Sequence, residues 1–165
     1  MILIMLDKII SQVLIGLVVL IICIVLWQVF SRYVIHAPSS WSEEFARFLL
    51  IWIGMLGAVH CYRSKAHLGI NILTDKCPTQ VAKWLALFTH LMVIFFAFSV
   101  LLVGGCKLVI LTLDPVQISP ALSVRIAYVY SIVPITGILF IIYGAFECLH
   151  LFCSEKKVSG VTNGI

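Results

Sequence analysis

The sequence predicts an all-α integral membrane protein with four transmembrane helices and both termini in the cytoplasm. Three observations carry this prediction. Apolar residues make up 62% of the 165-residue chain and charged residues only 11%, where a water-soluble domain has about 25% charged residues. The mean hydropathy is +1.17. The apolar residues also fall into four runs, at about residues 9–31, 45–62, 84–106 and 126–146, separated by charged residues. A helix crosses the hydrocarbon core with roughly 20 residues. A chain of this length with so few polar groups cannot cover a water-soluble surface. Its net charge of +4 is spread between the runs and forms no patch, which argues against a nucleic-acid partner.

The first helix is expected at about residues 9–32, between Asp7/Lys8 and Arg32. It reads as a retained span, because the run is longer than a secretory h-region, its flank is nearly neutral and no small-x-small cleavage site follows. Pro38, in the segment HAPSS, separates it from the second helix. That helix is expected at about 43–63, from the stretch SSWSEEFARFLLIWIGMLGAVHCYR. Its purely apolar part is short, so the helix must extend to Arg47 or beyond. Ser40 with Glu43 three residues on reads as a capping box, which starts the helix near Trp41. The third helix is expected at about 83–107, after Pro78 of DKCPTQ, and the fourth at about 125–148. The segment TLDPVQISPAL joins these two as an irregular outer connection. Residues 1–153 thus form one four-helix membrane domain, and residues 154–165 read as a polar, irregular cytoplasmic tail.

Orientation follows from the basic residues. Lys8, Arg63, Lys65, Lys76, Lys83, Lys156 and Lys157 fall on one side, and Arg32, Arg47, Lys107 and Arg125 on the other. This bias of seven to four puts both termini in the cytoplasm by the positive-inside rule.

The second helix carries the most informative residues. Glu43 and Arg47 are i,i+4 partners and Glu44 and Arg47 i,i+3 partners, so the three charges can form one local cluster. The glutamates sit near the helix N-terminus, where the dipole favours anions. Two acids and one base leave a surplus carboxylate to meet a cation on another helix or another chain. Trp41 fits an interfacial anchor. Gly54 and Ala58 form a small-xxx-small pair, widened by Gly57, that lets another helix approach closely.

Other chemistry is excluded by what the runs lack. They contain no deep carboxylate for an ion or proton relay, and the chain has no phosphate loop, nucleophile elbow or H-E-x-x-H. Cys23, Cys61, Cys77, Cys106, Cys148 and Cys153 are scattered without a C-x-x-C, so they read as free thiols. No enzyme, metal site or cofactor is expected. Two competing readings remain. His60 and His90 could ligate a haem in an electron-transfer protein, although His90 reads better as a hydrogen-bonded packing residue. A self-sufficient small exporter would require the membrane-embedded acid that the runs lack.

The segment WSEEFARFLLIWIGMLGA resembles the signature of the small membrane subunit of tripartite ATP-independent periplasmic (TRAP) transporters. YRSKAHLGINIL resembles that family's continuation, and ISPALSVRIAYVYSIVPITGILF its final-helix region. Family members often have Asp where this chain has Asn71, so the resemblance gives that position no ionic role. It implies a non-catalytic subunit of the bacterial inner membrane that braces a much larger membrane subunit, which carries the substrate and sodium sites. A soluble periplasmic binding protein would deliver an organic acid of the sialic acid or C4-dicarboxylate type. The resemblance makes Trp41, Glu43, Glu44, Arg47, Gly54, Gly57 and Ala58 the expected partner interface. It leaves Trp27, Trp52 and Trp84 as interface or headgroup anchors.

Overall fold

The computed structural model describes residues 2–37, 39–64 and 79–162. In chain order its helices are α1 (Ile2–Phe30), which runs into a π-helical segment (Ser31–Ile35), and α2 (Ser40–Arg63). There follow α3 (Thr79–Phe96), a second π-helical segment (Ala97–Gly104), α4 (Gly105–Leu113), α5 (Ile126–Tyr130) and α6 (Ile132–Thr162). They make four spans long and apolar enough to cross a membrane, Met5–Ile35, Ser40–Arg63, Trp84–Leu113 and Ile126–Leu149. The four-helix, all-α architecture expected from the sequence is therefore present. Pro38, Asn71 and the segment 75–78 lie outside the described residues.

The helices reach further than the apolar runs. α1 begins at Ile2, so Asp7 and Lys8 are helical residues instead of flanks. The third span continues past Lys107 to Leu113. The backbone of α6 runs through Thr162, where the sequence reads as an irregular tail. Residues 154–158 contain Glu and Lys, which are good helix formers, and no proline to stop the helix.

In packing order α1 lies against α2, α2 against α6, and α6 against α3 and the second π segment, with α4 against α5. Among the described residues of α1 only Ile10 and Ile24 are buried. Ile10 joins Val59, Tyr62 and Tyr143 in the central apolar cluster, with Leu6, Leu14 and Phe140 packed on it. Lipid tails are as apolar as leucine, so such contacts hold membrane helices together mainly by van der Waals fit.

That fit is closest between α6 and the third span. A Cβ added to Gly137 would lie 3.0 Å from the backbone nitrogen of Leu102 and from the Cβ of Leu101. One added to Gly105 would lie 3.0 Å from the nitrogen of Pro134, and one on Gly144 2.7 Å from Ile94 Cγ1. Gly54 and Gly57 differ, since an added Cβ there meets nothing within 4 Å. The glycines that bring helices together inside this chain are thus not the pair singled out in α2.

The turn from α5 into α6 shows how a break is tolerated at membrane depth. Pro134 has no N–H to offer the carbonyl one turn before it, which loosens the helix around Ser131. Side chains compensate, as a medium without water requires. Trp52 Nε1 donates to the carbonyl of Val129 at 3.2 Å, Ser131 Oγ to that of Tyr128 at 2.7 Å, and Thr136 Oγ1 to that of Val133 at 2.8 Å. Trp52 therefore serves the fold from within and is not a headgroup anchor. In the third span, Ser99 Oγ bonds back to the carbonyl of Phe95 at 2.7 Å, a contact that bends helices and coincides here with the π-helical turns.

The glycine geometry makes a testable distinction. Overpacking costs about 1–3 kcal/mol, so Gly137→Val is expected to lower the thermal unfolding midpoint of the purified chain in detergent by several degrees. Gly54→Val should stay within about 0.5 kcal/mol of wild type, as for an open surface position. Equal midpoints for the two variants would contradict the packing described.

Candidate functional site

Two polar constellations lie at opposite ends of α2, and an outward stripe of that helix connects them. At the N-terminal end the helix starts at Ser40 with Ser39 as the N-cap residue, and no side chain caps a backbone N–H there. The capping box of Ser40 and Glu43 is therefore not formed. Instead the hydroxyls of Ser39 and Ser42 hydrogen-bond each other, and Ser42 Oγ donates to the carbonyl of Ser39 at 2.8 Å. Ser42 is fully buried. Gln28 Nε2 of α1 donates to the Ser42 carbonyl at 2.7 Å, fastening the two helices at this end.

The three charges expected to cluster line one recess, but their direct partners differ. Arg47 pairs with Glu43 at 3.6 Å, with side chains 66% and 73% exposed respectively. Glu44 turns instead to the connection after α4. Its Oε2 accepts from the hydroxyl of Ser119 and from the backbone N–H groups of Ala121 (3.1 Å) and Leu122 (3.3 Å). That carboxylate oxygen is thus engaged within the chain, holding the 119–122 turn as an anion-binding loop holds its ligand. A polar recess of about 350 Å³ remains beside it, lined by Ser40, Glu43, Glu44, Arg47, Pro120 and Ala121.

Along α2 the residues left exposed after the first turn are Glu43, Arg47, Leu50, Gly54, Ala58 and Cys61. Their spacing of three and four residues places all six on one stripe. It is charged at one end and lined with small residues towards the other. Gly57 is half-buried beside it, and Trp41, also exposed, points about 160° away around the helix. At Ala58 and Cys61 the stripe opens into an apolar cleft of about 520 Å³, walled on the far side by Thr89, Met92 and Phe96 of α3 and floored by Phe140.

The second constellation lies at the C-terminal end of α2. Arg63 Nε donates to Asp7 Oδ2 of α1 at 3.2 Å, and its Nη1 to Glu147 Oε1 of α6 at 2.8 Å. The side chain of Arg63 is 25% exposed and that of Glu147 11%. Tyr143, 1% exposed, donates from its hydroxyl to Asp7 Oδ1 at 2.7 Å. The guanidinium also lies 5.7 Å from the centre of the Tyr143 ring and 5.9 Å from that of Phe146, in range for a cation–π contact. Next to this node Tyr62 and His90 Nδ1 share a hydrogen bond of 2.7 Å. His90 is thus hydrogen-bonded, as the sequence reading of a packing residue expects.

Over residues 21–154 the sequence matches the model of a known family, described as tripartite ATP-independent periplasmic transporters, DctQ component. The chain belongs to this family. It is 39% identical over 70 residues to the sialic acid TRAP transporter permease protein SiaT of Haemophilus influenzae, covering 42% of this chain and 11% of that one. It is 28% identical over 104 residues to the sialic acid TRAP transporter small permease protein SiaQ of Vibrio cholerae, covering 61% of this chain and 60% of its relative. The isethionate TRAP transporter permease protein DctMQ of Oleidesulfovibrio alaskensis is 27% identical over 122 residues, which cover 70% of this chain and 19% of that protein. The chain is therefore a multi-pass small TRAP permease component, and it spans only a minor part of two of these relatives.

Family membership was legible in the residues of the signature, but the Asp7–Arg63–Glu147 node was missed. Each member sits at the end of an apolar run and reads singly as a flank or a topology signal. The available clue was that all three run ends fall on one side of the membrane in the expected topology, two acids opposite one arginine.

The two ends of α2 should respond differently to mutation. Removing one partner of a buried ion pair costs about 3–5 kcal/mol. With Arg63 partly exposed, Arg63→Ala is expected to cost roughly 1–3 kcal/mol of stability, since it leaves Asp7 and Glu147 without their shared cation. Arg47→Ala should cost under about 1 kcal/mol. Thermal unfolding of the purified chain in detergent distinguishes them, and similar losses would refute the contrast. Hydrogen exchange tests the outer turn. Hydrogen bonds to charged groups are worth about 1.5–3 kcal/mol, so Glu44→Ala should speed exchange at the amides of Ala121 and Leu122 by about tenfold or more. Unchanged exchange would mean that the turn holds without Glu44.

Proposed function

We propose that this chain is the non-catalytic small permease subunit of a sodium-coupled TRAP transporter in the bacterial inner membrane, with both termini cytoplasmic. On this reading it braces a large membrane subunit that carries the substrate and sodium sites. A periplasmic binding protein delivers the substrate, an organic acid of the sialic acid type. Family membership supports the class of protein, and relatives named for sialic acid and isethionate support an anionic organic substrate.

The observation that carries the bracing role is the outward stripe of α2. The α2 span as a whole is the least apolar of the four. An exposed ion pair and small residues are poorly suited to lipid tails, whereas a partner helix can use both. Small residues let backbones approach closely, and polar groups hydrogen-bond across the contact. Glu43, Arg47, Gly54 and Ala58 are the proposed contacts, with Gly57 and Trp41 flanking them. Glu44 contributes indirectly, by holding the 119–122 turn against the polar recess.

The test is purification of the tagged chain from native membranes in mild detergent, with co-purifying proteins identified and uptake of the organic acid measured. A stoichiometric large polytopic partner is expected. Arg47→Glu should lower its recovery by about tenfold, roughly 1.4 kcal/mol, while leaving the amount of inserted chain unchanged. If the Arg47→Glu chain keeps its partner and supports normal uptake, the α2 interface is wrong. A chain that purifies alone would remove the bracing role itself.

A further inference from the structure

The inner ionic node has a consequence for α1 that is independent of any partner. The backbone of α1 lies against α2 and no other described span, its contacts with α6 are made by side chains near Asp7, and most of its large side chains are exposed, including Ile9, Val19, Ile22 and Leu26. In a bilayer such residues gain little by facing protein instead of lipid tails. The position of α1 must therefore depend heavily on its polar contacts, and these lie at its two ends. At the outer end Gln28 donates to the carbonyl of Ser42, and Ser31 Oγ donates to the carbonyl of Ala37 in the short connection to α2. At the inner end Asp7 accepts from Arg63 of α2 and from Tyr143 of α6.

We propose that α1 is a latched arm. Asp7 is a positioning residue that clasps its inner half to α2 and α6, and the Gln28 end acts as the pivot. Apolar contacts of α1 are few, since among its described residues only Ile10, in the central cluster beside Leu6 and Leu14, and Ile24 are buried. Loss of the Asp7 carboxylate releases the inner half and leaves the outer end in place. It does not strip Arg63 of its pairing, because Glu147 remains 2.8 Å away, so the rest of the bundle keeps its charge balance. The lever is long. A helix rises 1.5 Å per residue, so a tilt of about 10° over roughly 20 residues moves the inner end by about 5 Å.

The experiment is pulsed electron–electron distance measurement on the full chain in lipid nanodiscs, after replacing its six cysteines. Spin labels at Ile9→Cys and Leu149→Cys report the inner end, and labels at Leu26→Cys and Leu50→Cys the outer end. With Asp7→Leu, the inner distribution should broaden or shift by about 5 Å while the outer one stays narrow, and Asp7→Glu should restore the narrow inner distribution. Tyr143→Phe removes one of the two contacts and should give an intermediate width, which keeps the test valid if Asp7→Leu fails to insert. An unchanged inner distribution in both variants would overturn the proposal, leaving apolar packing to position α1. Loosening of both label pairs together would also overturn it, making Asp7 a general determinant of the fold.

Discussion

The arginine at the C-terminal end of α2 is the point on which that half of the bundle depends. Apolar side chains cannot by themselves choose a neighbouring helix over lipid. Arg63 supplies the choice, because a guanidinium in a medium poor in water requires hydrogen-bonding anions and can bind two at once. Its position in the last turn of α2 is also favoured by the helix dipole. One side chain thereby meets Asp7 of α1 and Glu147 of α6. Tyr143 stands between them, donating to Asp7 and offering its ring to the same guanidinium. Three helices converge through polar groups, and the apolar cluster of Ile10, Val59, Tyr62 and Tyr143 fills the space beside them.

Away from that node the bundle is organised by backbone fit. Gly105, Gly137 and Gly144 bring α6 against the third span at distances that leave no room for a Cβ. The same region contains the π-helical turns of Ala97–Gly104 and the break before Pro134. These departures from the α-helix would be expensive facing lipid, since freed carbonyls have no water to turn to. They lie where neighbouring side chains supply donors, and Trp52 reaches across from α2 to one of them. Close packing and local irregularity therefore coincide for a physical reason, because only protein can repair the backbone at that depth.

The four spans could be read from run length and flanking charge, because both are local properties of the chain. The charges of α2 were legible as a set, but their pairing was not. Helical spacing places Glu44 beside Arg47, yet Glu44 faces donors about 75 residues further on, at Ser119, Ala121 and Leu122. Backbone N–H groups of a turn offer a carboxylate several donors with no side-chain entropy to lose, and a local i,i+3 pair offers one flexible cation. Which glycines meet another helix was equally hidden, since that depends on how each helix is rotated. Gly54 and Gly137 look alike in sequence, and one faces outward while the other touches a neighbouring backbone. Arg63 was read as a topology signal because the acids that claim it are far away along the chain.

The two ends of α2 carry ion pairs of opposite physical meaning. At the C-terminal end Arg63 and Glu147 are largely withdrawn from solvent, so removing Arg63 strands the carboxylate beside it. At the N-terminal end Glu43 and Arg47 are both mostly exposed and lie at 3.6 Å, a pair that adds little to folding. A charged pair that does little for the fold, set at the head of a stripe continuing through Gly54, Ala58 and Cys61, is not accounted for by the stability of this chain alone. The buried side of α2 already holds what the bundle needs, in Ser42, Leu49, Leu56, Val59 and Tyr62. Its other side is consistent with a surface kept for assembly, where the same charges would become desolvated and gain the strength that exposure now denies them. One helix would then serve as the internal hinge-post of the subunit and as its outward contact, with the two roles separated by half a turn of helix.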